Sequence, residues 1–390
     1  VTLPQALQRA LAADPRLPLQ DSLAEAAEGQ IEQADLPPNP VIGSEIENVL
    51  GSGSFEGVDG LEVTLGLSQT IETAGKRARR TDLARAERRL VDWDRERILA
   101  EVEADVRTAF VKVLLAQRLI ELRRDQVALA ERGATETERL VEAARSAQVE
   151  ATRARLAVRR QKLALQQAER GLNSAKTVLA SLWGDASTVD FTLAGEVQLE
   201  AATPKFAQLT TALTASAPLA RYEAEAQLRE AAIDLEKARA KPNFDVFGGA
   251  RYFNEGNGDA AFVVGIEVPW PLFDKNQGNI RTARAQRTAV THAREATRRQ
   301  LLIALNQAYQ ALVLARTDAE SIQADLLPAA EATLRETETG YERGQFTLLS
   351  VLDSREALFE IREAYLDALS RYAVAQSKIQ ALTRPASIQN

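Results

Sequence analysis

The chain has 390 residues and a mass of 42.6 kDa, with 48 basic against 55 acidic side chains, one His, and neither Cys nor Met. A net charge of −7 lacks the basic excess of a nucleic-acid binder, and the absence of Cys removes disulfides, thiolate metal sites and cysteine nucleophiles together. Aromatic content of 5% is low for a compact enzyme, so composition turns the reading away from catalysis and from a resident cofactor.

The chain begins at Val1 rather than Met and shows no signal peptide, as expected of a processed or trimmed form. Charge-free windows such as Gln300–Ala315 fall short of the about 18 residues that a membrane helix needs, and Gln and Asn interrupt them. If this chain crosses a bilayer, strands must do it.

In chain order, a short helix over about Pro18–Ala34 precedes two strands. Ile42–Leu50 places Ile42, Ile46 and Leu50 on one side, with Glu45 and Glu47 on the other. Leu61–Gln69 sets Leu61, Val63, Leu65 and Leu67 against Glu62, Thr64 and Ser68. Period-two alternation of this kind predicts a sheet with one apolar and one polar face, and the Gly- and Ser-rich segment 51–57 reads as a hairpin loop. From Lys76 to Ala143 there is no Pro and only Gly133, which predicts one helix of roughly 100 Å. A break near residues 141–153 leads to a return helix over Gln148–Trp183.

The same order then repeats. A helix over Pro218–Ala240 leads to strands Phe244–Tyr252 and Phe262–Val268, joined by a loop at Asn254–Gly258. Phe244, Val246, Ala250 and Tyr252 oppose Asp245 and Arg251, while Phe262, Val264, Ile266 and Val268 oppose Gly265 and Glu267. A second long helix over Asn279–Arg343 is expected to kink at Pro328, and a return helix covers Leu348–Thr383. Apolar steps of three and four in Leu83, Ala86, Leu90, Trp93, Val102, Val106, Ala109 and Val113, and in Leu301, Leu305, Ala308, Leu312 and Ala315, predict packed coiled-coil seams.

Pro38-Asn39-Pro40-Val41-Ile42 recurs as Pro242-Asn243-Phe244-Asp245-Val246, and Val141-Glu142-Ala143-Ala144 as Tyr341-Glu342-Arg343-Gly344. A period of about 200 residues is too long for a solenoid repeat. It predicts duplicated halves over residues 1–200 and 201–390, with strand hairpins at 41–70 and 244–270 and helical tips near 141–153 and 341–353. The fold class is mainly α with a small β part. Four strands cannot close a barrel, an open edge is not tolerated in lipid, and the smallest membrane barrels have about eight strands. A membrane reading therefore requires an assembly of two or three copies.

This order of elements resembles the TolC-type outer-membrane efflux ducts over nearly the whole chain. Val268-Pro269-Trp270-Pro271-Leu272-Phe273-Asp274-Lys275-Asn276-Gln277-Gly278 is similar to the heavy-metal, cobalt–zinc–cadmium branch. Ser68-Gln69-Thr70-Ile71-Glu72-Thr73-Ala74-Gly75-Lys76-Arg77 is similar to the matching first-half turn, and Thr2-Leu3-Pro4-Gln5-Ala6-Leu7 to the family's start. The resemblance implies a homotrimer with a 12-stranded barrel in the outer membrane, continuing into a 12-helix periplasmic tunnel. It further implies a periplasmic adaptor and an inner-membrane pump of the resistance–nodulation–division type as partners, outer-membrane lipid around the barrel, and no enzymatic activity.

Residue roles follow from the same resemblance. Tyr341-Glu342-Arg343-Gly344-Gln345-Phe346-Thr347-Leu348-Leu349-Ser350-Val351-Leu352-Asp353 is similar to the family's pore tip. Asp353 falls on an acidic position at the pore axis. Glu150 falls on one that some relatives tie to the position of Tyr341 or to an Arg. Ser350 and Phe346 replace an Asp and an Arg of some relatives, and Ala144 replaces the first-half glycine. The expected constriction is Asp353, Glu150, Ser350 and Tyr341, with Gly344, Gln345, Leu348, Leu349 and Ala144 at the tip turns and adaptor contact. Glu45, Glu47, Glu62, Asp245 and Glu267 against Arg251 alone give an acidic lumen suited to cations. His292 is the only His, so no metal site is expected in the duct and metals would pass in water. Two other readings stay open: a drug or polypeptide duct of the same fold, and a soluble periplasmic coiled-coil scaffold whose own helices cover the strands.

Overall fold

The computed structural model describes residues 1–185, 187, 189–255 and 258–385. The expected loop residues Gly256 and Asn257 lie outside these. Nine α-helices and four strands are formed among the described residues, in the order α1 (Leu3–Ala13), α2 (Arg16–Ala34), β1 (Val41–Glu47), β2 (Glu62–Ile71), α3 (Lys76–Glu142), α4 (Gln148–Ser181), α5 (Phe206–Thr214), α6 (Ala217–Arg239), β3 (Phe244–Phe253), β4 (Ala260–Glu267), α7 (Gln277–Ser321), α8 (Leu327–Glu342) and α9 (Leu348–Thr383). No helix among the described residues is long and apolar enough to cross a membrane.

The chain forms two compact units, each drawing on both halves of the sequence. One comprises Val1–Leu19, Arg95–Leu219 and Thr297–Asn390. Its core contains two clusters built alike from a short helix, a long helix and a return helix. Ala6 and Ala10 of α1 pack with Val102, Val106 and Val113 of α3 and Leu179 of α4. In the same way, Leu209 and Leu213 of α5 pack with Leu305, Ala308 and Leu312 of α7 and Tyr372 and Ile379 of α9. Matching ion pairs tie each long helix to its return helix: Glu138–Arg155 (2.9 Å) and Glu338–Arg355 (2.5 Å), then Glu131–Lys162 (2.7 Å) and Glu331–Arg362 (3.1 Å). The expected kink at Pro328 takes another form. Ile322–Leu326 winds as a π-turn that leads into α8, with Pro328 in its first turn. Proline cannot donate to the carbonyl four residues back and its ring presses on that carbonyl, and a wider turn relieves both.

The other unit, Gln20–Asp94 and Ala220–Ala296, holds the sheet. Its strands are antiparallel in the order β1-β2-β3-β4, with Ile42 opposite Leu67, Leu65 opposite Ala250 and Val246 opposite Ile266. β1 ends at Glu47, short of the expected Leu50, because Asn48 and Leu50 take left-handed backbone at φ 55 and 59. Register fixes which side chains share a face. The apolar face is not covered by the chain: Phe262 is 92%, Val264 84%, Ile42 78% and Ile266 72% exposed. The scaffold reading required helices over this face, and no helix among the described residues covers it. Both outer edges, on β1 and β4, are unpaired among the described residues.

Candidate pore and tip sites

The polar face of the sheet carries all five expected lumen carboxylates. Arg251 in β3 sits between two of them, at 2.8 Å from Glu47 and 2.7 Å from Glu62, and its Nε donates to Thr64 Oγ1 at 2.8 Å. These neighbours come from two other strands, β1 and β2, so only register could reveal them. Asp245 accepts a hydrogen bond from Thr70 Oγ1. Glu45 and Glu267 are exposed and have no hydrogen-bonding or ion-pair partner among the described residues. One guanidinium therefore offsets part of the acidic face, and the remaining charge lies on Glu45, Asp245 and Glu267.

At the tip of the second half, α8 ends on Gly344 in left-handed backbone at φ 73, with the Gln345 amide donating to the Gly340 carbonyl at 2.8 Å. The Phe346 ring lies over Gly340, where a Cβ would meet it at 2.3 Å. Aromatic packing thus holds the turn where an Arg was the alternative. The first tip closes identically in spite of Ala144: Arg145 N donates to Leu140 O at 2.8 Å and Ala144 takes φ 55. Left-handed backbone strains an alanine. Ala144→Gly is expected to stabilise this turn by a few tenths to about 1 kcal/mol, read as slower hydrogen exchange of the Arg145 amide.

The gate candidates separate into different roles. Ser350 occupies the first turn of α9, where its amide donates to Thr347 Oγ1 at 3.2 Å and its hydroxyl lies 2.9 Å from the same oxygen. This is helix capping. Glu150 accepts from Arg153 of its own helix at 3.1 Å, so within the chain Arg153, not Tyr341, is its partner. Tyr341 instead lies in the field of Arg139, whose guanidinium is held above its usual value by its hydrogen bonds to Glu136 and, in smaller measure, by Tyr341. Asp353 is exposed and has no ion-pair partner among the described residues. Leu349 is exposed and Leu348 half-buried at the start of α9. Sequence reading missed Arg139 and Arg153. The signal available was their spacing of three residues from Glu136 and Glu150.

No group of three or more His, Asp or Glu side chains suited to a metal ion occurs among the described residues. Open-edged strands with an exposed apolar face, each hairpin followed in sequence by a long helix, are features of a protein that crosses a membrane by strands. The chain belongs to the outer membrane efflux protein family, whose model matches residues 6–185 and 209–383. It is 31% identical to the cobalt-zinc-cadmium resistance protein CzcC of Cupriavidus metallidurans over 97% of this chain and 89% of that one. It is 27% identical to the nickel-cobalt-cadmium resistance protein NccC of Alcaligenes xylosoxydans xylosoxydans over 74% and 64%. Among solved structures, CusC superposes with a TM-score of 0.76 at 17% identity over 98% of this chain and 92% of that one, a likeness of fold.

Proposed function

We propose that the protein is the outer-membrane exit duct of a tripartite efflux system, a homotrimer that passes heavy-metal cations passively to the outside. The observation that carries this is the sheet: an uncovered apolar face, a carboxylate-bearing opposite face and two open edges. Three copies give twelve strands and leave no edge in lipid. Heavy metals as cargo are supported by the named resistance roles of CzcC and NccC. The acidic face is consistent with cations, since unpaired carboxylates raise their local concentration. A periplasmic adaptor and an inner-membrane resistance–nodulation–division pump would deliver the ions, and the tips bearing Leu348, Leu349 and Gln345 are where the adaptor would meet the duct.

The test is complementation. In a strain keeping the matching pump and adaptor but lacking its duct, this chain is expected to restore tolerance to cobalt, zinc or cadmium. Restored tolerance to organic drugs with none to metals would overturn the cargo. The gate has its own measurement in planar bilayers. Asp353→Ala is expected to raise conductance and lower cation selectivity while the trimer keeps its thermal midpoint. If both conductance and selectivity stay as in the parent, Asp353 is not at the constriction.

A further inference from the structure

The packed pair of α7 and α9 has one covered side and one bare side. The segment leading into α5, with α5 itself, covers the first. Phe206 packs on Tyr309 of α7 with ring centroids 5.2 Å apart, and Arg316 donates to the Ala201 carbonyl at 3.3 Å. On α9, Tyr372 Oη accepts from the Glu200 amide at 3.2 Å, and Gln376 donates to the Glu200 carboxylate. At about 3.6 residues per turn, Gln307, Ala311 and Leu314 stand across α7 from Tyr309 and Arg316. Ser370, Val374 and Lys378 are likewise turned away from Tyr372 and Gln376. These six residues line a recess of about 410 Å³ on the bare side, with Ala308, Ala375 and Arg371.

We propose that this recess binds small amphipathic organic anions and that it faces the bore of the duct. The second clause rests on the trimer reading. Turned inward, the covered side would put an α5 from every copy into the bore, so the covered side looks out and the recess looks in. Alanines, Val374 and Leu314 give the recess an apolar body, and Leu314 is 59% exposed although nothing polar is gained by it. Its two cations differ. Arg371 is met by two carboxylates, Asp318 and Asp367, both at 2.9 Å. Lys378 is exposed and has no ion-pair partner among the described residues. An anionic head group on Lys378 Nζ, with an aryl or alkyl body over Leu314 and Val374, therefore satisfies the free charge and takes the apolar surface out of water together. The volume lies within the roughly 300–1,000 Å³ usual for small-molecule sites. A hydrated divalent cation finds no free carboxylate here, because Arg371 engages both nearby ones. The recess thus selects a class of solute that the heavy-metal reading does not include.

Because the chain has no Cys, introduced thiols report the placement without background. In planar bilayers, a charged thiosulfonate reagent is expected to modify Leu314→Cys and lower its conductance. On the covered side, Ala207→Cys of α5 should be modified with no change in current. Naphthalenesulfonate should then block the parent reversibly at concentrations where inorganic sulfate and naphthylmethylammonium do not. Lys378→Gln, an exposed site whose change spares the fold, should raise the half-blocking concentration about tenfold. Failure of the reagent to reach Leu314→Cys in the trimer means that another copy covers the recess, and overturns the proposal. So does full modification with unchanged current, equal block of parent and Lys378→Gln, or block by the naphthyl cation as strong as by the anion. A monomeric mass of the parent in native mass spectrometry overturns the trimer reading instead.

Discussion

Gly249→Ala is expected to prevent the sheet from forming as described, and with it the folded duct. A Cβ built on Gly249 would sit 2.5 Å from the Leu65 carbonyl oxygen and 2.8 Å from the Gly66 Cα. Both are backbone atoms of the neighbouring strand, so no rotamer change relieves the overlap and the β2–β3 ladder must open. Overpacking alone costs about 1–3 kcal/mol and each ladder bond lost about 1 kcal/mol more. Gly66, directly opposite Gly249, meets a different neighbour. Its Cβ would strike the Phe247 ring at 2.3 Å, a side chain that can swing away, and would meet the Gly248 carbonyl oxygen only at 3.0 Å, so Gly66→Ala should cost less. Gly43 and Gly265 have nothing within 4 Å, and alanine there should stay within about 1 kcal/mol, the span of strand preferences. The measurement is the yield and thermal midpoint of refolded protein for the four variants. Equal midpoints for Gly249→Ala and Gly43→Ala would show that β2 and β3 do not approach as closely as described.

Much of this architecture is legible in the sequence because it is periodic. Alternation in Phe262–Val268 set the apolar face before any strand was paired, and the Pro-free run after Lys76 set the first long helix. What stayed hidden depends on neighbours distant in sequence. Arg251 reads as a lone cation until register brings Glu47 and Glu62 beside it from two other strands. Ser350 reads as a gate residue from its motif, and the motif does not show that its hydroxyl and amide engage Thr347 at the helix start. Gly340 gives no hint that Phe346 needs its missing Cβ. α1 and α5 escaped because each is short, and their apolar positions make sense only against the long helices they cover.

Lys76→Met is expected to be the most damaging single change outside the strands. It leaves Lys241 O and Asn243 Oδ1 without their charged donor in a site only 8% exposed, a loss of about 2–4 kcal/mol. Lys76→Gln keeps a donor and should recover a good part of the loss. Burial also holds the Lys76 ammonium below its ordinary value of 10.5, with the nearby Glu72 carboxylate opposing in part. The sign follows from proton binding: between the lowered native value and 10.5 the unfolded chain holds more protons at this site than the native one, so stability from this group rises with pH in that window. Lys76→Gln should remove that alkaline gain. Thermal midpoints of the three proteins at neutral pH and at pH values approaching 10.5 separate the two effects. A Lys76→Met midpoint equal to the parent's would mean that the contacts of Lys76 with Lys241 and Asn243 add nothing to stability.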